Sequence, residues 1–326
     1  MRAVICREFG SIDALEVAEL PPPQPGPGQV VVSVRAAGVN YPDALVVQGR
    51  YQEKPALPFT PGGELAGVVK SIGPARNGDT PFEVGQRVYG GLLRGCFAEE
   101  VAVDAAKLRA IPAGCSFEEA ACVSTTYHTS YYALVTLAAV CPGESVLVLG
   151  AAGGVGLAAI EIAKAFGARV IAAASSDEKL AVCRSHGADE LIQYASSDLR
   201  TRLKELTHGR GVDVVYDPVG GEYSEVALRG LAWRGRHLVV GFTGGIPRIP
   251  TNLVLLKGAA VLGVMLGAAF TRDASVAKSV IDSVAALLEA GSIRPQVSER
   301  YEFSRTAEAL KRLLERRVAG KLVLIP

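Results

Sequence analysis

The sequence predicts an α/β protein in which a doubly wound parallel sheet is inserted into a mostly antiparallel, barrel-type β domain. Three observations predict it. Residues 1 to about 110 are rich in strand patterns and poor in helical ones. From Val146 onward, apolar strands alternate with helices, and the chain then ends on strands that the finished alternating series does not need. A chain of 326 residues is long enough for two cores. The expected boundaries are 1–124 with 267–326 for the β domain and 125–266 for the inserted one.

In the first section, VVVSVRAAGV (30–39), LAGVVKSIG (65–73), QRVYGG (86–91) and AEEVAVDAAKL (98–108) read as strands punctuated by proline and glycine, as in PPPQPGPG (21–28). With few crossover helices available, an antiparallel arrangement fits. Ser116-Phe117-Glu118-Glu119 matches a capping box and opens a helical segment running to about Val140. Then VLVLG (146–150) precedes the helix LAAIEIAKAFG (157–167), and ARVIAAA (168–174) precedes DEKLAVCRSHG (177–187). VDVVYD, EVALRGLAW, RHLVVGF and AAVLGVML continue the series to Leu266. Strands apolar on both faces and separated by helices indicate a parallel sheet with helices on each side. The tail reads helix (273–291), strand (298–303), helix (306–318) and strand (321–326), and is expected to rejoin the first domain.

Between the strand at 146–150 and its helix lies Ala151-Ala-Gly-Gly-Val-Gly156, one residue short of the dinucleotide fingerprint because Ala151 stands at the first glycine. Gly153, Gly154, Val155 and Gly156 would bring backbone N–H groups to a pyrophosphate at the helix N-terminus. Ala151 is tolerable where the turn does not demand positive φ. An NAD site places an acid at the end of the next strand to hold the ribose 2′-OH. Here that end is Ala174-Ser175-Ser176, without an acid. Ser175, Ser176 and Lys179, with Tyr194 from the following strand, suit a 2′-phosphate, so NADPH is the expected cofactor.

Composition excludes other classes. Hydrophobic residues make up 49%, charged residues 21%, and the net charge is +1 with no basic block, so no nucleic-acid partner is expected. The N-terminus carries Arg2, Arg7 and Glu8 and lacks a signal-like apolar core. The longest apolar run, Gly258 to Phe270, is too short to span a bilayer and reads as a buried strand with flanks, so a cytoplasmic protein without membrane contact is expected. Six cysteines at 6, 96, 115, 122, 141 and 183 form no C-x-x-C pair, so no structural zinc is expected.

GVNYPDALVVQGRY (38–51), LPFTPGGELAGVVKSIG (57–73), the glycine loop and VVYDPVGG (214–221) together resemble the medium-chain dehydrogenases/reductases. The branch that the sequence resembles is that of the zinc-free, zeta-crystallin-like quinone oxidoreductases, over essentially the whole chain. The resemblance implies a Rossmann domain inserted in a GroES-like domain, NADPH between them, and a homodimer formed through the edge strand, here Val264 to Leu266. Zinc alcohol dehydrogenases of the same superfamily have a cysteine ligand where this chain has Asn40 and a histidine ligand where it has Gly63, so no metal is expected.

The resemblance also supplies catalytic candidates. Asn40 corresponds to a residue beside the nicotinamide, where its amide would meet the acceptor oxygen or the cofactor ribose. Tyr51 corresponds to a cleft tyrosine able to hydrogen-bond a carbonyl or deliver a proton, and Thr129 to a threonine near the nicotinamide. Phe242 and Thr243 fall where the family's backbone meets the carboxamide, and Asp217 to Gly220 closes a strand on the adenine and ribose side. A second cleft tyrosine of some relatives is Leu45 here. Asp43 is expected to cap or pair locally. Of the histidines, His128 is read as packing or solvent-facing, and His186, His208 and His237 show no partner signal. The function expected is NADPH-dependent, zinc-independent hydride transfer to a quinone. Reduction of enones, acrylates or acryloyl-CoA-type substrates is the alternative, and a non-catalytic binding or structural role a weaker one.

Overall fold

The computed structural model describes residues 1–76 and 81–326 and divides into two compact units, Met1–Thr125 with Arg294–Pro326, and Thr126–Ile293. In the first, β1 (Arg2–Ile5) pairs antiparallel with β2 (Glu16–Glu19). The long β3 (Gln29–Val39) leads into α1 (Tyr41–Val47), followed by β4 (Glu64–Ile72), β5 (Arg87–Gly91), β6 (Glu100–Asp104) and β7 (Leu108–Ala110). β4 pairs with β3 along most of its length, and β6 pairs with the first half of β3. Gly67 is required where these strands meet, because a Cβ there would stand 2.1 Å from the Ser33 carbonyl oxygen. The capping box at Ser116 forms and starts α2 (Phe117–Ala120).

The helical segment expected to continue to Val140 is broken at 121–125, where one unit gives way to the other. α3 (Thr126–Tyr131) begins the second unit and runs into a π-helical turn at Tyr132–Leu137. Then come β8 (Ser145–Val148), α4 (Gly154–Ala165), β9 (Arg169–Ala174), α5 (Asp177–Ser185), β10 (Glu190–Gln193), α6 (Leu199–Leu206), β11 (Val212–Asp217), α7 (Gly221–Arg229), β12 (Leu231–Val239), α8 (Thr251–Lys257) and β13 (Ala260–Gly263). The strands are parallel, in the order β10-β9-β8-β11-β12-β13. This is the doubly wound order, with its switch point between β8-β9 and β11. Leu147, Leu149, Ile171, Ile192, Val215 and Leu231 fill its core.

Two expectations need correction. The apolar run after Gly258 is not one buried strand. β13 ends at Gly263, its residues are half-buried or exposed, and Leu266 already starts α9 (Leu266–Arg272). The edge strand is therefore Ala260–Gly263 and not Val264–Leu266; only the Val264 N–H extends the pairing, to Val239. The second unit also runs further than 266. α10 (Ala274–Glu289) buries Val280, Val284 and Leu288, at helical spacing, and packs on α3. The chain returns to the first unit at Arg294. There β14 (Val297–Glu302) pairs in parallel with β15 (Lys321–Ile325) across α11 (Thr306–Leu314), and β15 pairs antiparallel with the second half of β3. β14 thus sits at one end of the otherwise antiparallel sheet, whose order is β14-β15-β3-β4-β5-β7. Among the described residues no helix is long and apolar enough to cross a membrane.

Candidate functional site

In the first unit, the chain corner between β3 and α1 meets β4 and β15 around a buried ion pair. Glu64 is 0% exposed and Lys321 5%. The Lys321 ammonium donates to Glu64 Oε1 (2.8 Å), Val39 O (2.8 Å) and Asn40 Oδ1 (2.5 Å). Asn40 Nδ2 donates to the same Glu64 oxygen (2.8 Å), and the Thr125 N–H donates to Glu64 Oε2 (2.8 Å). All three ammonium protons therefore have oxygen partners, as burial demands. Gly38 is needed for this packing: a Cβ there would stand 2.3 Å from Ala121 O and 2.4 Å from Glu64 Oε1.

The network changes the place of Asn40. Its amide oxygen is taken by Lys321 and its amide nitrogen by Glu64, with a longer contact to Gly38 O. The side chain faces inward and fixes the corner; it is not presented as a donor. Asp43 caps the same corner as expected, accepting the Asn40 N–H at Oδ2 (2.7 Å). Its other oxygen lies 3.9 Å from where a side chain on Gly63 would begin, as does Thr125 Oγ1. Burial pushes the Asp43 carboxyl up to about 7, against the pull of the Asn40 N–H and Lys321. Tyr51 is half-buried, and burial, then Glu53 and Asp43, raise its phenol, which stays protonated at neutral pH.

In the second unit, the glycine loop takes its positive φ at Gly150 (55°), one residue before Ala151. That placement explains why alanine is accepted at position 151. Gly153 caps α4 with an ordinary φ of −74°, and Gly153, Gly154 and Val155 are only partly covered, so the helix N-terminus remains approachable. Gly156 is enforced by sterics: a Cβ would stand 2.5 Å from Ala151 O and 2.6 Å from Gly150 O. Ser130 donates to Val155 O (3.0 Å) and meets the Tyr216 hydroxyl (3.0 Å), which ties α3 to the loop. Thr129, its half-buried neighbour, is thereby held on a helix clasped to the glycine loop.

At the end of β9, Lys179 Nζ donates to Ser175 Oγ (3.2 Å), and Ser176 Oγ caps α5 by accepting the Lys179 N–H (3.4 Å). Tyr194 packs against Tyr223, with ring centroids 4.8 Å apart. β11 is on the opposite side of β8 from β9, so the Asp217–Gly220 turn and the Ser175–Ser176 strand end lie on either side of the glycine loop in the strand order. Asp217 Oδ1 accepts the N–H groups of Val219 (2.9 Å) and Gly220 (2.8 Å), and Oδ2 meets Ser224 Oγ (2.5 Å) and His237 Nε2 (3.0 Å). Burial works to raise this carboxyl, but the bonds from His237, Gly220 and Ser224 hold it below its usual range. Thr243 donates to Pro218 O and the Gly244 N–H to Val219 O, which seats the Phe242–Thr243 loop on this turn.

Sequence reasoning missed Glu64, Lys321 and the Asp217–His237 pair, and it missed His186, which bonds Glu161 Oε1 at 2.7 Å. His128 is buried and packs against Phe270, as the packing reading expects. A lysine opening the apolar strand KLVLI was the available signal: a buried cation needs a partner.

A parallel doubly wound sheet with an approachable glycine loop, joined in one chain to a mostly antiparallel β unit, defines a dinucleotide-dependent oxidoreductase. The model of the alcohol dehydrogenase GroES-like domain matches residues 26–113, and that of zinc-binding dehydrogenases matches residues 154–285. The rat quinone oxidoreductase-like protein 2 is 37% identical, over 99% of this chain and 91% of its own. A structure described as an NAD-dependent alcohol dehydrogenase superposes with a TM-score of 0.91 at 34% identity, covering both chains completely. The Escherichia coli quinone oxidoreductase complexed with NADPH gives 0.89 at 29% identity, again over the whole of both. The chain belongs to the medium-chain dehydrogenases/reductases, in their quinone oxidoreductase-like branch.

The raised Asp43 carboxyl has a consequence for stability. Its folded value near 7 lies above the unfolded value near 4, so the folded state holds this proton more tightly. The associated stability is fully present below pH ~4 and is lost as pH rises through about 7, by roughly 4 kcal/mol. Asp43→Asn lacks this dependence. Denaturant melts from pH 4 to 8 should show the parent losing stability relative to the variant; parallel curves would refute the assignment.

Proposed function

We propose that the chain is a cytoplasmic, NADPH-dependent quinone reductase that works without zinc. The observation that carries the reading is the buried Lys321–Glu64–Asn40 network. At the two positions where zinc dehydrogenases hold their metal, this chain has an amide engaged by an ammonium and a glycine with no side chain. These groups do not fit a zinc ion, so the substrate must be one activated without a Lewis acid. A quinone meets that condition, since it spreads the negative charge of an accepted hydride onto its own oxygen. NADPH, when bound, supplies that hydride. Gly153, Gly154, Val155 and Gly156 would hold its pyrophosphate; Ser175, Ser176, Lys179 and Tyr194 its 2′-phosphate; Thr129, Phe242 and Thr243 its nicotinamide end.

The residues' own tasks follow from their surroundings. Tyr51, protonated at neutral pH like any phenol and raised further by burial, is placed in this reading to donate a hydrogen bond to the acceptor oxygen. Asn40 acts by holding the corner from which Asp43 and α1 begin. The same protonated phenol also favours a second reading, reduction of enones and acrylate-type substrates including CoA thioesters, whose enolate needs a proton. Trp233, Leu255 and Leu256 are 71%, 80% and 69% exposed near the open edge of β13, which supports a homodimer formed there.

Consumption of NADPH at 340 nm should be fast with quinones and slow with enones; the opposite order would move the assignment to alkene reduction, and no turnover with either would remove it. Lys179→Ala should weaken NADPH roughly tenfold while leaving NADH near its parent value, because only the former carries a 2′-phosphate for the ammonium to pair with. Equal weakening would count against that pairing. Sedimentation at micromolar concentration should give twice the chain mass, and Leu255→Glu should return it to one; a parent already sedimenting as a single chain would refute the interface.

A further inference from the structure

The end of β9 carries no acid, but the first turn of α5 carries two, Asp177 and Glu178. Acids are favoured at a helix N-terminus. Here they follow directly on Ser175 and Ser176 and precede Lys179, three of the four groups proposed to take a 2′-phosphate. A carboxylate turned toward that group would repel it and would instead accept a hydrogen bond from a free 2′-OH. The structure shows where each carboxylate goes. Gln193, the last residue of β10 and paired in register with Ala174 of β9, donates its Nε2 to Asp177 Oδ1 at 2.9 Å. Ser176 hydrogen-bonds the Glu178 side chain and holds that carboxyl below its ordinary range. Lys179 points its ammonium to Ser175, on the strand-end side.

Resting on the NADPH reading, we infer that Gln193 is a specificity-positioning residue: by holding the Asp177 carboxylate on the β10 side, it keeps the Ser175–Lys179 corner fit for a phosphate. The preference for a phosphorylated ribose is then set in part by a residue that itself need not touch the nucleotide. Gln193 is followed at once by Tyr194, whose ring leans on Tyr223 of α7, so the backbone that presents the amide is anchored on its far side. The neutral amide suits this task because it donates to the carboxylate without adding a second cation that would itself attract phosphate.

The test uses the intact chain and equilibrium binding of NADPH and NADH, followed by nicotinamide fluorescence. Gln193→Leu removes the donor and keeps the bulk. It should weaken NADPH by roughly fivefold and leave NADH unchanged or slightly tighter, an effect of the size expected for a single partly screened charge. Because the loss is charge repulsion, the ratio of variant to parent NADPH affinity should move toward one in 0.5 M salt, which a loss of local packing would not produce. Adding Asp177→Asn to the leucine variant should restore NADPH binding, while Asp177→Asn alone should stay within twofold of the parent. Equal weakening of both nucleotides, no change in either, or failure of the double variant to recover would overturn the inference. A parent that binds NADH as tightly as NADPH would overturn the cofactor reading and, with it, the selectivity argued here.

Discussion

The first unit depends on a single buried cation. Lys321 is contributed by its last strand, yet its ammonium joins the end of β3, the start of the loop before α1 and the first residue of β4. Removing either Lys321 or Glu64 would leave an uncompensated charge in the interior, a defect on the order of 3–5 kcal/mol. On the proposed zinc-free reading, this network accounts for the site: an ammonium and a carboxylate satisfy each other within reach of a neutral amide.

The second unit is organised around turns, not charges. The glycine loop, the Asp217 turn and the Phe242–Thr243 loop follow β8, β11 and β12, three neighbouring strands of one sheet. Asp217 satisfies two backbone N–H groups with one oxygen and two side chains with the other, so the turn after β11 is held from inside. Val219 from this turn would lie 2.9 Å from a Cβ on Gly150, which couples it sterically to the glycine loop. The backbone at a dinucleotide loop must be positioned before any ligand arrives, and these contacts supply that order.

Much of this was legible in the residues. Strand and helix periodicity placed most of the strands of both sheets and the helices α4, α5, α10 and α11, but gave no sign of β1, β2, α1, α6 or α8; the glycines between β8 and α4 located the loop. The capping box at Ser116 was correct to the residue. What periodicity could not do was assign ownership. The helix at 274–289 was readable as a helix, but nothing in Val280, Val284 and Leu288 says against which core they pack. The run from Gly258 failed for a related reason: apolar residues in a short strand and in the helix after it look alike until the chain turns. The ion network was invisible because its members, Asn40, Glu64 and Lys321, are brought together across the full length of the chain, and no local pattern marks such a partnership.

The interruption of the first unit by residues 126–293 has a consequence for how the molecule is made. The second half of β3 is paired by β15, and the Asn40 amide by Lys321, so a segment near the N-terminus waits for the final residues before its core can close. The inserted unit is continuous in sequence and its sheet contacts are complete without any later residue. During synthesis from the ribosome the order of completion is therefore imposed by topology: the nucleotide-binding portion has all its parts first, and the portion that begins the chain is the last to have them.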